Sequence, residues 1–185
     1  MKLATLLIAG AIFAAPVQAA PTTDTAILSG GCYWGMQEVF EHVKGVTNVV
    51  AGFAGSPASH AEAVKISFDP SQISYSQLLQ IYFTVAHDPT EIDRQGPDEG
   101  HSYRSAIFPQ TPDQERFARA FIARLNGAHI YKAPIATRLE RGLFEAVGAD
   151  QQHFAKKHPT YSYIVVNDVP KVADLKKKFP TLYKA

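Results

Sequence analysis

DTAILSGGCYWG, residues 24–35, is the stretch that decides the fold. Residues 24–29 end in the apolar pair Ile27-Leu28 and predict a short strand, and apolar residues then recur at helical spacing from Trp34 to Val43. Cys32 therefore lies where a strand passes into the first turn of a helix. The free backbone N–H groups and the positive dipole end of a helix favour a thiolate there. The pattern predicts a reactive cysteine, and the alternative is a small buried hydrophobic residue.

Residues 1–20 have the features of a cleavable secretory signal peptide. Lys2 precedes an apolar run over residues 3–15, and a small-residue site follows at Val17-Gln18-Ala19. The run is shorter than the ~20 residues that a membrane-spanning helix needs. We expect cleavage after Ala19 or Ala20 and a periplasmic or secreted protein, with an uncleaved N-terminal anchor as the alternative.

The composition excludes several classes of function. Without residues 1–20, basic and acidic residues are equal in number, which gives no electrostatic reason to bind nucleic acid or a membrane surface. No dinucleotide, P-loop or zinc-ligand spacing occurs, so we expect no metal and no organic cofactor. The chain has one cysteine and cannot form an internal disulfide, so redox chemistry at Cys32 would need an outside reductant.

The order of predicted elements indicates the fold class. Strands are predicted over residues 46–53, 61–68, 103–108 and 130–139, and helices over residues 74–86, 111–127, 150–157 and 169–178. Strands and helices are interleaved without a regular βαβ repeat. This predicts an α+β fold: one domain over residues 21–185, with helices packed on a mixed β-sheet in two layers around a ferredoxin-like core.

Glu62 is a candidate general acid within the run His60-Ala61-Glu62-Ala63-Val64. Its small neighbours leave room around the side chain, and an apolar pocket raises the pKa of a carboxyl group. Such an acid can give a proton to an oxygen that leaves sulfur or carbon. The alternative is a solvent-facing glutamate at a strand edge.

Gly31-Cys32-Tyr33-Trp34-Gly35 is similar to the signature of the peptide methionine sulfoxide reductase A family, with Tyr33 in place of the usual phenylalanine. Further blocks resemble that family in the same order along nearly the whole chain after residue 20. They are residues 60–64, 68–70, 73–75, 78–79, 87–90, 94–98, 103–107, 163–165 and 170–171. The last two resemble the tail of members that have no C-terminal resolving cysteines.

The resemblance implies a role for each matching residue. Cys32 would attack the sulfur of a methionine sulfoxide, and Glu62 would protonate its oxygen. Tyr33 and Trp34 would form an apolar wall around the S-methyl group, and Phe53 is a further candidate substrate-binding residue. The implied activity is reduction of peptide-bound or free methionine S-sulfoxide by an exported, monomeric enzyme. A sulfenic acid at Cys32 would then be reduced by an external thiol or a thioredoxin-like partner.

Two departures from the family pattern concern the polar half of the predicted pocket. The loop that usually carries a tyrosine is missing between Gly55 and His60. A gap-free count places Ala149 and Phe154 where the family has an aspartate and a second tyrosine, with Asp150 one residue away. Asp150 and Phe154 are therefore candidate substrate-binding residues, in a pocket with fewer hydroxyl groups.

Two other functions remain open at this point. A scaffold that has lost hydroxyl groups directed at the oxygen could bind a sulfoxide or a methionine peptide with little turnover. A cysteine also allows acyl transfer if a histidine lies beside it, and His60, His87 and His101 are the candidates.

Overall fold

The computed structural model describes residues 22–185, and the predicted signal peptide lies outside them. The strands are β1 (Asp24–Ser29), β2 (Val46–Ser56), β3 (Ser59–Phe68), β4 (Arg94–Gln95), β5 (Asp98–Glu99), β6 (Ala106–Phe108), β7 (Arg138–Leu139) and β8 (Leu143–Ala146). The α-helices are α1 (Tyr33–Glu41), α2 (Tyr75–Ile81), α3 (Pro112–Gly127), α4 (Phe154–Lys157), α5 (Ser162–Asn167) and α6 (Val169–Lys178). A π-helical turn, Tyr82–Ala86, continues α2, and a 3-10 turn, His101–Tyr103, precedes β6.

The main sheet has six strands in the order β7-β6-β1-β3-β2-β8. Only the pairing of β6 with β7 is parallel, so the sheet is mixed. The four central strands, in the order β6-β1-β3-β2, alternate with α1 and α2 in the βαββαβ pattern of a ferredoxin-like fold. The predicted α+β class and single domain are confirmed.

The central strand β3 brings Glu62 to the end of β1. Leu28 of β1 lies opposite Val64 in an antiparallel pair, so the chain that leaves β1 continues toward the level of Glu62. Helix α1 covers this part of the sheet because Met36, Val39 and Phe40 are fully buried at helical spacing. Strand register and helix packing together place the β1–α1 junction beside Glu62.

The predicted strand over residues 130–139 is wrong except at its end, where β7 forms. Pro134 has no backbone N–H for a strand ladder. The chain around it is held by side chains instead. The backbone N–H of Ile135 donates to the Asn126 amide oxygen at 2.9 Å, and the Tyr131 hydroxyl donates to the Phe83 carbonyl at 2.7 Å.

Several other boundaries differ from the prediction, and strands β2 and β3 extend to Ser56 and from Ser59. Helix α1 covers residues 33–41, strand β6 begins only at Ala106, and the predicted helix over residues 150–157 is the single turn α4. His153, the residue before α4, has a φ of 56°, which is a left-handed conformation. The right-handed helix therefore cannot extend from α4 back toward residue 150. The short strand β8 has no counterpart in the sequence prediction.

Arg104 joins the 3-10 turn to the start of β3. Its side chain is 2 % exposed, and its Nε and Nη2 donate to both carboxylate oxygens of Glu140 at 2.9 and 2.8 Å. It also donates to the backbone carbonyls of Ser59, His60 and His101. The guanidinium group thus fixes the turn that carries Tyr103 relative to the strand that carries Glu62.

Replacing Glu140 with glutamine is expected to lower the free energy of unfolding by about 2 kcal/mol, because it leaves the buried guanidinium without its counter-charge. Urea denaturation measures this change. Asp113→Asn is the control, because its ion pair with Arg116 is exposed and should contribute nothing measurable. A Glu140→Gln variant as stable as that control would show that Arg104 does not need its ion pair.

Candidate active site

Cys32 occupies the N-cap position of α1 and is 8 % exposed. Its carbonyl accepts the Met36 N–H at 3.3 Å, which begins the helix. Gly31 has a φ of 89°, a left-handed conformation that any other residue adopts under strain, and its N–H donates to the Tyr103 carbonyl at 3.2 Å. Gly31 therefore allows the sharp turn from β1 into α1 that places the thiol at the helix N-terminus.

Glu62 lies directly beside this turn. Its Oε2 accepts the backbone N–H of Tyr33 at 3.0 Å, so the carboxyl group is fixed to the residue next to Cys32. Burial raises the pKa of Glu62 to about 7, although the Tyr33 N–H opposes the shift. A carboxyl group with this pKa holds a proton in a substantial fraction of molecules at neutral pH and can give it to a bound substrate.

Cys32 is a thiol in the resting protein, which corrects the prediction of a favoured thiolate. Burial and the negative charge of Glu62 raise the pKa of Cys32 to about 12, with smaller contributions from Asp168 and Asp98. The Trp34 N–H at the helix N-terminus acts in the opposite direction. A helix dipole contributes up to ~2 kcal/mol, whereas full burial can shift a pKa by 3–5 units, so burial dominates.

An aromatic cluster lies next to Cys32. The Tyr33 ring meets Phe53 and Trp34 edge to face, with ring centroids 5.9 and 6.2 Å apart. Phe154 stacks on the indole of Trp34 with centroids 3.9 Å apart, and the indole N–H donates to the Gln151 amide oxygen at 3.2 Å. The structure thus brings together four predicted substrate-binding residues, and it adds Gln151, for which the sequence offered no signal.

Asp150 is placed differently from the other candidates. Its side chain is exposed and accepts a hydrogen bond from the neighbouring Gln151 amide at 2.8 Å, which lowers the pKa of Asp150. Among the hydrogen bonds of residues 22–185, none joins Asp150 to Cys32 or Glu62. In the described part of the chain, Asp150 is therefore near Tyr33 but makes no hydrogen bond to either of the two proposed reacting groups.

Asp98, Tyr103 and Tyr163 contribute polar groups to the site. The Tyr163 hydroxyl donates to Asp98, and its ring meets Trp34 edge to face at 5.9 Å. Burial, Cys32 and Asp98 raise the pKa of Tyr163, and burial, Glu62, Asp98 and Cys32 raise that of Tyr103. Two tyrosine hydroxyls and a carboxylate are therefore close to the thiol and the acid.

This polar group corrects the prediction of a pocket short of hydroxyls. All three residues fall in the sequence blocks 94–98, 103–107 and 163–165, which resemble the family but were given no role. Their position in these family-like blocks is the sequence signal that could have identified them as site residues. The gap-free count placed the missing groups at Ala149 and Phe154, whereas the fold supplies polar groups from β5, the 3-10 turn and α5.

Gln152 fixes the segment that carries Phe154. Its Oε1 accepts the Ala51 N–H at 2.9 Å and the Gln37 side-chain amide at 3.1 Å. Its Nε2 donates to the carbonyls of Ala51 and Val147 at 2.7 and 3.2 Å. One amide group thus joins the C-terminal segment to both β2 and α1, which holds Phe154 over Trp34.

The three candidate histidines form no catalytic pair with Cys32 among the hydrogen bonds of residues 22–185. His87 is buried, which lowers its pKa to about 4, and its ring nitrogens contact the Tyr82 carbonyl and the Ser105 hydroxyl. His101 contacts Ser59 and Asp93, and the ring of His60 packs on Phe53. The arrangement does not support acyl transfer.

Residues 22–185 contain no group of three or more potential metal ligands. In the same part of the chain, no helix combines the length and apolar character that crossing a membrane requires.

Comparison with known proteins places the chain in a family. A relative from Mesorhizobium japonicum, named peptide methionine sulfoxide reductase MsrA 2, is 47% identical over 180 residues, which cover 90% of this chain and 92% of that protein. The family model described as peptide methionine sulfoxide reductase matches residues 24–182. The chain belongs to the peptide methionine sulfoxide reductase A family. It is therefore an oxidoreductase that acts on peptide methionine sulfoxide.

Solved structures share this fold. Methionine sulfoxide reductase A of Corynebacterium diphtheriae is 30% identical, with a TM-score of 0.65, and the match covers 77% of this chain and 78% of that one. Mxr1 from Saccharomyces cerevisiae, solved in complex with Trx2, is 19% identical, with a TM-score of 0.53, and the match covers 75% of this chain and 90% of that one. The yeast protein shows a likeness of fold alone.

Proposed function

We propose that this protein reduces methionine S-sulfoxide, protein-bound and free, to methionine through a sulfenic acid at Cys32. The observation that carries the proposal is the hydrogen bond from the Tyr33 N–H to Glu62, which fixes an acid of raised pKa beside the thiol. The single cysteine supports a sulfenic acid as the first product, because no second thiol of the chain can form a disulfide with it.

The proposed first step balances within the site. The Cys32 sulfur attacks the sulfoxide sulfur, Glu62 gives its proton to the sulfoxide oxygen, and Glu62 recovers a proton from the thiol. The S–S bond formed by this attack and the S–O bond of the sulfoxide then break, the oxygen forms a new bond to the Cys32 sulfur as a sulfenic acid, and methionine leaves. The cysteine sulfur is oxidised by two electrons and the methionine sulfur is reduced by two. Tyr103 supplies a hydroxyl that can hold the oxygen as its negative charge develops, whereas the Tyr163 hydroxyl donates its proton to Asp98.

The aromatic cluster of Tyr33, Trp34, Phe53 and Phe154 gives the proposed enzyme its selectivity. Sulfoxide sulfur is chiral, so a site with an apolar wall on one side and hydrogen-bond donors on the other fits one epimer better. The S-methyl group would contact the Trp34 side of the cluster, and the oxygen would face Glu62.

The second step needs an external reductant. A thiolate attacks the Cys32 sulfenic acid and releases water, and a second thiol then resolves the mixed disulfide. A thioredoxin-like protein would supply both thiols, and the yeast structural neighbour solved with Trx2 supports this partner. The enzyme would act without a metal or prosthetic group, as a monomer. The sequence of residues 1–20 supports export to the periplasm or the medium, and hence repair of oxidised exported proteins.

Steady-state reduction of the separate S and R epimers of N-acetyl methionine sulfoxide, with dithiothreitol as reductant, tests the function. We expect turnover of the S epimer and little of the R epimer. Binding of the S epimer without turnover would instead support the binding-protein alternative, and equal rates for both epimers would exclude the proposed geometry.

The hydroxyl groups of the site give a paired prediction. Tyr103→Phe is expected to lower kcat several-fold with little change in KM, because it removes an oxygen-directed hydrogen bond worth ~1 kcal/mol that strengthens in the transition state. The matched change, Phe154→Tyr, is expected to leave kcat within about twofold, since the Phe154 ring is stacked on Trp34 and Tyr103 already supplies a hydroxyl. A rate gain in Phe154→Tyr would show that the pocket does lack a hydroxyl.

A further inference from the structure

Asp168 is a buried carboxyl group between α5 and α6. Its side chain is fully buried, its Oδ2 has no hydrogen-bond partner in the described part of the chain, and its Oδ1 lies 3.5 Å from the Lys171 amine. A buried charge with one distant partner is costly to keep. Burial raises the pKa of Asp168 to about 6, so the group is still mostly ionised at pH 7.

The Asp168 carboxyl group lies against the first turn of α1. A β-carbon added to Gly35 would meet Oδ1 of Asp168, and would lie 2.8 Å from its Cγ and 3.0 Å from the Lys171 Nζ. Position 35 therefore has room for glycine alone while Asp168 keeps its place. Gly35 follows Cys32 by three residues, so the carboxyl group packs on the same helical turn that Cys32 begins.

We propose that Asp168 is a positioning residue for Cys32, whose carboxyl group braces the first turn of α1 and whose negative charge adds to the preference of Cys32 for its thiol form before a sulfoxide is bound. This goes beyond the proposed function and rests on it only for the identity of the substrate. The thiolate is the form of cysteine that reacts with alkylating agents and peroxides. A cysteine that stays protonated is therefore protected from these side reactions.

Charged groups from each neighbouring element act on Asp168. Lys171 of α6 favours its ionised form, and Asp98 of β5 and Glu38 of α1 oppose it. Asp168 in turn is one of three carboxyl groups, with Glu62 and Asp98, that disfavour the Cys32 thiolate. Of these three, Asp168 is the one that packs on Gly35, behind the helix turn.

The test is the rate of Cys32 alkylation by iodoacetamide as a function of pH in the full chain. Asp168→Asn keeps the shape of the brace and removes its charge, so the midpoint of the profile should move to lower pH. The alkylation rate at pH 8 should then rise about threefold to tenfold, since one unit of pKa is a factor of ten in thiolate. Asp174→Asn is the matched control, because Asp174 is an exposed carboxylate on the same helix.

An Asp168→Asn profile that coincides with those of the wild type and Asp174→Asn would overturn the proposal. If Asp168→Asn fails to fold, Asp168→Ser removes the carboxyl group without adding bulk and carries the same expectation. A merely structural role for Asp168 would change the melting temperature but not the midpoint of alkylation. The readout needs no sulfoxide turnover, so failure of the proposed function and failure of this inference are separate results.

Discussion

Replacing Cys32 with serine is expected to lower sulfoxide reduction by at least about a thousandfold, the scale on which enzymes lose activity when their nucleophile is removed. A hydroxyl group is a far weaker nucleophile than a thiol and cannot accept the oxygen as a sulfenic acid. Turnover of the S epimer with dithiothreitol measures the loss.

The serine variant should keep its fold, because the side chain is nearly the same size at an N-cap position where serine is favoured. Unchanged near-ultraviolet circular dichroism and binding of the S epimer are the controls. Substantial turnover in a folded Cys32→Ser variant would mean that the oxygen passes to another group, and the proposed reaction would be wrong.

Glu62→Gln is expected to lower kcat by about a hundredfold to ten-thousandfold, the usual contribution of a general acid. The amide can still accept the Tyr33 N–H but cannot donate an acidic proton, so KM should change little. The matched control is Glu145→Gln, because both glutamates pair with Phe53 in the sheet, Glu62 from β3 and Glu145 from β8.

The pH profile gives the same residue a second test. A general acid works in its protonated form, which dominates below its pKa of about 7, so wild-type kcat should fall as the pH rises through that value. In Glu62→Gln this limb should disappear and leave a low, flat rate. A profile in Glu62→Gln that keeps its limb near pH 7 would assign the proton to another group.

The sequence predicts the fold well where hydrophobic periodicity is unbroken. The strands around Ile27, Val49 and Ile66 and the helix with Met36 and Phe40 each bury one clear apolar face, so their local pattern and their packing agree. Strand β8 was not predictable, because it has four residues and forms through pairing with β2. Residues 130–137 were predicted as a strand that does not form, because side-chain hydrogen bonds hold this segment instead of a strand ladder.

The site was predicted in part for a related reason. Cys32, Glu62 and the aromatic residues lie in short motifs, and the structure places them together. The protonation state of Cys32 was not predictable, because its pKa depends on burial by elements far along the chain. The same holds for the hydrogen bond between Asp98 and Tyr163, whose partners are 65 residues apart.

The distance along the chain between Cys32 and Gln152 has a consequence for biosynthesis. The nucleophile and its acid are made within the first 62 residues of the chain, but the amide that anchors Phe154 over Trp34 joins Gln152 to Ala51, 101 residues earlier. Chains are made from the N-terminus, and contacts between distant residues form last. During most of its synthesis a nascent chain therefore lacks the C-terminal segment that completes the aromatic cluster beside Cys32. We expect the cysteine to become selective for its substrate only when that segment docks.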